Sequence, residues 1–415
     1  MTELLSPAGN FEKLRAALRF GADAVYLAGK CFGMRSAADN FTDEEIAEAV
    51  QYVHERGKKI YLTVNTMPHG DEYPRLREYL RAVGAMGVDA MIVSDMGVFA
   101  TVRELLPEMD IHVSTQASIV SPAAARAWAA LGATRLVLAR ELNLTEVRAI
   151  REALPDSVEL EAFVHGSMCV SYSGRCMLSN ELTGRDANRG GCAQPCRWNY
   201  TIVEEKRPDE RLPVMENENG TFILSSRDMC ALRHVPELIE AGVTSFKIEG
   251  RMKSAYYAAV VTNAYRMAID AYLRDPAGYV FDERLYREVE SVSHRAYSTG
   301  FWFDDPRENP QLTEDVGYIR EKAYFATVSA LGELPEGLVA ENGNGKLCRL
   351  MQRNKVSLSD SAELLTPGRV GIPFRVTELY DETGAPIESA PHPKMEFFCR
   401  LPFEAMEGDI IRAGE

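Results

Sequence analysis

Residues 3–27 read ELLSPAGNFEKLRAALRFGADAVYL, and the order of features in that stretch decides the fold. Glu3–Leu5 is a short apolar strand pattern and Phe11–Phe20 an amphipathic helix pattern. Gly21-Ala22-Asp23 is a small-residue turn into a second apolar strand pattern, Ala24–Leu27. Working outward, the same phrase of strand, polar strand end and helix repeats through the first 250 residues. Further strand patterns are Ile60–Val64, Ala90–Val93, Ile111–Val113, Arg135–Leu138, Val158–Val164 and Ser245–Ile248, which makes eight. Helical patterns between them include Asp43–Arg56, Tyr73–Met86, Pro122–Leu131 and Leu144–Leu154. Strands apolar on both faces and alternating with helices form a parallel sheet. Eight such units in this span fit a closed TIM-like (β/α)8 barrel. The rival, an open doubly wound sheet, lacks its usual G-x-G-x-x-G after the first strand.

In such barrels chemistry sits at the C-terminal ends of the strands. Those ends carry Ser6, Asn65, Ser94, Asp95, Gln116, Arg140, His165, Lys247, Glu249 and Arg251, which reads as the lining of one pocket. Some are helix N-cap candidates instead, as are Ser94 and Ser121. The alternation breaks between Val164 and Thr244, and this stretch holds five of the eight cysteines. It also holds a strand pattern at Trp198–Val203, a charged loop around Glu204–Gly220 and a strand pattern at Phe222–Leu224. An insertion of this length after the seventh strand points to function.

Beyond Asp270 the helical region ends, and Pro306–Pro310 reads as a boundary loop. Short alternating strands follow at Tyr324–Ala330, Leu338–Ala340, Leu347–Met351, Arg375–Tyr380 and Glu396–Leu401, with turns such as Asn342-Gly343. The expected organisation is a barrel domain over 1–310, with a Cys-rich insertion at 165–244, and a small all-β barrel over 322–415.

A chain of 415 residues is long enough for two cores. Its composition, 46% hydrophobic and 26% charged, is that of a soluble globular protein. A net charge of −15 argues against non-specific polyanion binding while leaving room for a local basic patch. No apolar run reaches the roughly 18 residues of a membrane helix. The N-terminus lacks the basic-then-apolar order of a signal peptide. The expectation is therefore a cytoplasmic protein with no membrane contact, in which cysteines are buried thiols or metal ligands rather than disulfides.

Four cysteines are spaced Cys169-x6-Cys176-x15-Cys192-x3-Cys196 and flanked by glycines. Such intervals converge only if permissive loops fold round a point. By ligand type alone, four thiolates suit tetrahedral zinc or an iron–sulfur cluster. Zinc ribbons usually show two close knuckles, and only the second pair here is close, which favours the cluster. Four unrelated core thiols is the remaining reading. Cys348 and Cys399 fall in strand patterns and read as core residues. Cys31 falls at the pocket end, and Cys230 is a substitute-ligand candidate.

The run Glu161-Ala162-Phe163-Val164-His165-Gly166-Ser167-Met168-Cys169, then Gly174-Arg175-Cys176 and Ser179, resembles the signature of the collagenase-like "peptidase" family numbered thirty-two among the unclassified peptidases. Leu5-Ser6-Pro7-Ala8-Gly9-Asn10, Gly21–Tyr26, Arg185–Gly190, Lys247-Ile248-Glu249-Gly250-Arg251 and the C-terminal β module extend the resemblance over nearly the whole chain. Within the family it is most similar to the TrhP group of tRNA hydroxylation proteins. The resemblance implies an oxygen-independent hydroxylase that forms 5-hydroxyuridine at the tRNA wobble position, with prephenate as a required metabolite. It also implies a four-iron (4Fe-4S) cluster on Cys169, Cys176, Cys192 and Cys196. Some relatives lack the fourth cysteine and use a later one, which leaves Cys230 open.

The historical name predicts a peptidase. Yet His54-Glu55 is not followed by a second histidine at metalloprotease spacing, and no Gly-x-Ser-x-Gly elbow occurs. Cys169 and His165 would need a third, orienting group. For hydroxylation, Arg35, Arg140, Lys247, Arg251 and Lys253 are candidate carboxylate clamps for a small anionic metabolite, with Asn65 and Gln116 beside them. His165 and Glu249 are the candidate acid–base groups, though each has a structural alternative. Arg175, Arg185, Arg189, Arg197, Arg227 and Arg233, interleaved with Tyr172, Trp198 and Tyr200, suit phosphate contacts and base stacking, or else neutralise a thiolate cluster. Two alternatives to the hydroxylase stand: a peptidase, and a cluster-bearing binding subunit of a partner hydroxylase such as a paralogue.

Overall fold

Strands whose side chains are buried on both faces close into a parallel barrel in the computed structural model. It describes residues 2–35, 39–169, 171–198, 202–204, 207–212, 216–217, 220–221, 226–303 and 319–414. The barrel strands are β1 (Glu3–Pro7), β2 (Ala24–Ala28), β3 (Lys59–Val64), β4 (Ala90–Val93), β5 (Asp110–Val113), β6 (Arg135–Val137), β7 (Glu159–Ser167) and β9 (Ser245–Ile248). Each pairs with the next, and β9 closes the ring by pairing with both β1 and β7. β8 (Asp228–Cys230) lies outside it, antiparallel to β7, and β10 (Tyr297–Ser298) extends that flap.

The crossover helices are set by local capping. Asn10 accepts from the Lys13 N–H to start α1 (Phe11–Arg19). Thr42 and Glu45 form a capping box on α2 (Asp43–His54). Asp95, just past the end of β4, caps α3 (Met96–Leu105), and Ser121 caps α4 (Pro122–Ala130). Ser94 is no cap: its hydroxyl donates to the Asn65 carbonyl at 2.9 Å. The helical region also runs past Asp270, through α5 (Ala255–Arg274) and a further helix at Glu283–Glu290.

The barrel interior below the mouth is charged. Arg135 reaches Glu3 at 2.5 Å, Glu159 at 2.6 Å and Glu161 at 3.2 Å, and Lys247 meets Glu161 at 2.5 Å. Tyr61 donates to Glu3 at 2.6 Å. Removing one member of a buried ion network strands its partners' charge in low dielectric. Arg135→Leu is therefore expected to destabilise the fold by about 3–5 kcal/mol in urea unfolding; a loss below about 1 kcal/mol would contradict this account.

The C-terminal domain is an antiparallel sheet in the order Ile372–Arg375, Ser361–Leu365, Ile410–Ala413, Tyr324–Ser329, Gly345–Gln352, Glu396–Leu401, Leu379–Asp381. Three expectations are corrected. Leu338–Ala340 is not a strand. Arg375–Tyr380 splits, because the Val376 N–H turns aside to the Asp360 carbonyl. Ser361–Leu365 and Ile410–Ala413, short and unmarked in the sequence, are strands. Cys348 and Cys399 stand opposite each other in the core, as expected. The domain docks on the barrel through buried Arg412, which meets Glu288 at 2.8 Å, and through Tyr324, stacked on Tyr256 of α5. In the insertion the strand is Ile202–Glu204, antiparallel to Arg207–Leu212. Phe222–Leu224 and Pro306–Pro310 lie outside the described residues.

Candidate active site

The C-terminal ends of the barrel strands and the cysteine loops enclose a cavity of about 130 Å³, room for a small molecule rather than a single water. Arg35, Asn65, Gln116, Arg140, Lys247, Glu249 and Arg251 all line it, and so do Cys169, Cys176, Cys192 and Cys196.

Three of these side chains each keep one buried N–H group without a partner among the described residues. Gln116 accepts from Asn65 Nδ2 at 2.6 Å and from the Ser114 hydroxyl at 3.2 Å, leaving its Nε2 unsatisfied. Arg140 spends one nitrogen on the Ser167 carbonyl at 2.7 Å and lies over the Phe163 ring, and its Nε has no acceptor. Arg251 donates to the Met34 carbonyl through one nitrogen, and its Nη1 has no acceptor. An unmet buried donor costs about 1–3 kcal/mol, more when charged. Three around one cavity make a receptor for an acceptor-rich anion.

The charges agree. Burial lowers the Arg251 pKa to about 10, so the group stays protonated at neutral pH. Burial would lower Arg35 as well, but Glu249 and the Cys169 and Cys192 sulfurs outweigh it and the net direction is up. Arg35 holds a left-handed backbone, φ 69°, stabilised where Asn40 donates to its carbonyl at 3.2 Å. Lys247 is paired with Glu161 rather than available to a ligand, and burial lowers its pKa.

The cysteine loops are shaped by small residues. A side chain at Gly174 would press on Gln116, and Gly190, at φ 93°, lies against the Gly33 carbonyl. Ser179 ties the loop together, donating to the Arg185 carbonyl and accepting from the Ala193 N–H. Asn188 donates to the Cys176 carbonyl at 3.0 Å, and the Gln194 N–H approaches the Cys192 sulfur at 3.4 Å. Among the described residues, no three His, Cys, Asp or Glu side chains gather closely enough to hold a single metal ion.

His165 and Lys253 are not in the cavity wall. A register shift between Lys247 and Ile248, opposite β7, is a β-bulge that re-aims His165 outward. There it packs among Tyr257, Tyr265 and Tyr297, buried, with its Nε2 3.3 Å from the Tyr297 hydroxyl. Lys253 donates to the Ser293 carbonyl at 2.9 Å, beside Asp228. Cys230 is on the β8 flap, also away from the cavity, and burial pushes its thiol up to about 12. Cys31 faces Arg75 instead of the pocket. Sequence reasoning missed Tyr26, whose hydroxyl donates to the Ile248 carbonyl at 2.9 Å, and Asn188; Tyr26 was legible as a polar-tipped side chain in an otherwise aliphatic strand.

Burial lowers the His165 pKa from 6.5 to about 3. Above the unfolded value both states are neutral and the group is silent. As pH falls through 6.5 the unfolded chain takes the proton first, so stability is lost, by about 2 kcal/mol at about pH 5. His165→Gln is expected to shrink the stability difference between about pH 8 and pH 5 by that amount in urea unfolding; an unchanged difference contradicts it.

In the cysteine loops Tyr172, which lines the cavity, Met177 and Trp198 are exposed, together with Arg175, Arg185 and Arg189. Arg189 pairs with Glu72, and Arg233 is elsewhere, paired with Glu283 over the Tyr286 ring. Tyr200 and the Arg197 side chain lie outside the described residues.

The profile of "Peptidase family U32" matches residues 9–312, and that of "Peptidase family U32 C-terminal domain" matches 336–412. The tRNA hydroxylation protein P1 of Bacillus subtilis is 36% identical over 100% of this chain and 95% of its own length. The tRNA hydroxylation protein P of Escherichia coli is 36% identical over 94% of this chain and 91% of its own. A protein named collagenase from Porphyromonas gingivalis is 33% identical over 72% of each.

Proposed function

This chain belongs to peptidase family U32, and from that membership and the cavity at its barrel mouth we propose that it is a tRNA hydroxylase. Its product in this reading is 5-hydroxyuridine at the wobble position, formed without molecular oxygen. Relatives that match nearly all of this chain are named for tRNA hydroxylation.

The observation that carries the reading is the meeting of four cysteines and three unsatisfied donors on one cavity. The four cysteines line one cavity, and four thiolates suit an iron–sulfur cluster, whose ligands hold different iron atoms. When bound, such a cluster would supply one-electron redox chemistry, two such transfers amounting to the two-electron oxidation that hydroxylation of a base entails. Arg251, Arg140 and Gln116 bind and orient a small carboxylate, with prephenate the metabolite we assign. Arg35, between Glu249 and the cysteine sulfurs, offsets the negative charge of the site. Tyr172 and Trp198 offer stacking surfaces at the entrance for an extruded base, and the neighbouring arginines offer phosphate contacts.

The peptidase reading lacks its parts. His165 is buried behind the wall that Cys169 lines, so the two do not form a nucleophile–base pair. No helix among the described residues is long and apolar enough to cross a membrane; we place the protein in the cytoplasm with its tRNA. The cluster is tested by anaerobic purification and a visible spectrum. The expected result is a brown protein with about four iron per chain that bleaches with dithionite. A colourless protein holding stoichiometric zinc would overturn the redox assignment.

A further inference from the structure

Helix α1, the end of α2 and the C-terminal domain enclose a second, larger cavity of about 800 Å³, with none of the four ligand cysteines in its wall. Arg15, Arg19, Arg56, Lys58 and Arg353 line it, against two carboxylates, Glu12 and Glu407. In a chain of net charge −15 this concentration of cations stands out from the composition.

Three of the five are internally paired: Arg19 with Asp409 at 2.6 Å, Lys58 with Asp23 at 3.2 Å, and Arg353 with Glu12 at 2.7 Å. The other two are not neutralised in this way. Arg15 makes no ion pair among the described residues, and Arg56 has only Glu55 at 3.9 Å, both side chains exposed. Both guanidinium groups instead rest on one ring, Tyr52, at 5.5 Å and 3.5 Å from its centre, and Arg15 also faces Phe11. The ring positions two cations without cancelling their charge. Arg19 and Arg353 each keep a buried Nε without an acceptor among the described residues. Along α1 the cations run from Arg353, paired with Glu12 in the first turn, through Arg15 to Arg19 at the last residue, a span of about 10 Å, so they form a stripe rather than a point. A stripe of guanidinium groups beside an aromatic ring fits a run of phosphodiesters better than one small anion.

We propose that this groove holds the sugar–phosphate backbone of the tRNA body while the anticodon loop enters the barrel mouth, an inference that rests on the tRNA reading above. The groove joins both domains, which gives the C-terminal domain a part in substrate binding.

The test compares Arg15→Glu/Arg56→Glu and Arg15→Gln/Arg56→Gln with the unchanged holoprotein, using full-length tRNA and an isolated anticodon stem-loop. Both residues are exposed, and an unchanged visible spectrum and circular dichroism confirm folding of the variants. The charge-reversed protein is expected to bind full-length tRNA about tenfold or more weakly at about 0.1 M salt. The slope of log K against log salt should fall by about 2 in magnitude, the worth of two phosphate contacts. Stem-loop binding should not change. Full-length tRNA binding with unchanged affinity and slope in both variants overturns the groove, as does an equal loss for the stem-loop. If the unchanged protein binds neither RNA, the tRNA reading itself fails and the groove falls with it.

Discussion

Cys176→Ala is expected to yield a protein without the visible absorption of a cluster and without detectable 5-hydroxyuridine formation. The residue sits where the cysteine loop folds back over the barrel: Asn188 donates to its carbonyl, and two residues earlier Gly174 lies against Gln116. Its thiol lines the same cavity as Cys169, Cys192 and Cys196. Removing one of four ligands forfeits metal-linked folding energy, so the loops between 169 and 196 should also become more open to protease. The barrel should survive, since its core of β1–β7 and β9 owes nothing to those loops. Far-ultraviolet circular dichroism should therefore change little while iron content falls to near zero. Cys230→Ala is the matched control, because that thiol is buried on the β8 flap outside the cavity. It should keep its iron and its activity. Iron retained in Cys176→Ala but lost in Cys230→Ala would reverse the ligand assignment.

Arg251→Ala carries the second largest expected effect. The guanidinium is buried, remains charged with a pKa of about 10, and holds the Met34 carbonyl with one nitrogen while another lacks an acceptor. Truncation removes the charge that we assign to the metabolite carboxylate, a change worth about 2–5 kcal/mol when such a pair is buried. That corresponds to a rise in KM for prephenate of about thirtyfold to several thousandfold at saturating tRNA. Arg251→Lys restores a point charge but not the fork, so it should recover only part of the loss. A KM for prephenate within about twofold of the unchanged protein, with kcat also unaltered, would remove Arg251 from the binding site.

Much of this site was legible in the sequence because its cause is periodic. Strands buried on both faces leave uninterrupted apolar runs, so Ala90–Val93 was bounded correctly, and the polar ends of the strands identified most of the cavity wall. The break in that rhythm marked the cysteine insertion. What failed was local and non-periodic. His165 occupies a strand end by count, but a bulge turns it away, and no residue type announces a bulge there. Lys253 follows Arg251 by two positions, yet its N–H closes a turn onto the Gly250 carbonyl and its side chain reaches the Ser293 carbonyl. The charges inside the barrel, Glu3, Arg135, Glu161 and Lys247, stood in plain sight within apolar strands. Their mutual pairing depends on register between strands far apart in sequence, which a single chain does not display.

The central claim, that this cavity hydroxylates tRNA, is tested most directly in vitro. Anaerobically purified, cluster-loaded protein is incubated with prephenate, an artificial electron acceptor to take up the two electrons, and tRNA from cells lacking the gene. The tRNA is then digested and its nucleosides resolved by mass spectrometry. The account predicts uridine gaining one oxygen atom at the wobble position, dependent on prephenate and absent with Cys176→Ala. Unmodified tRNA from a fully loaded enzyme, alongside cleavage of a gelatin substrate by the same preparation, would contradict it.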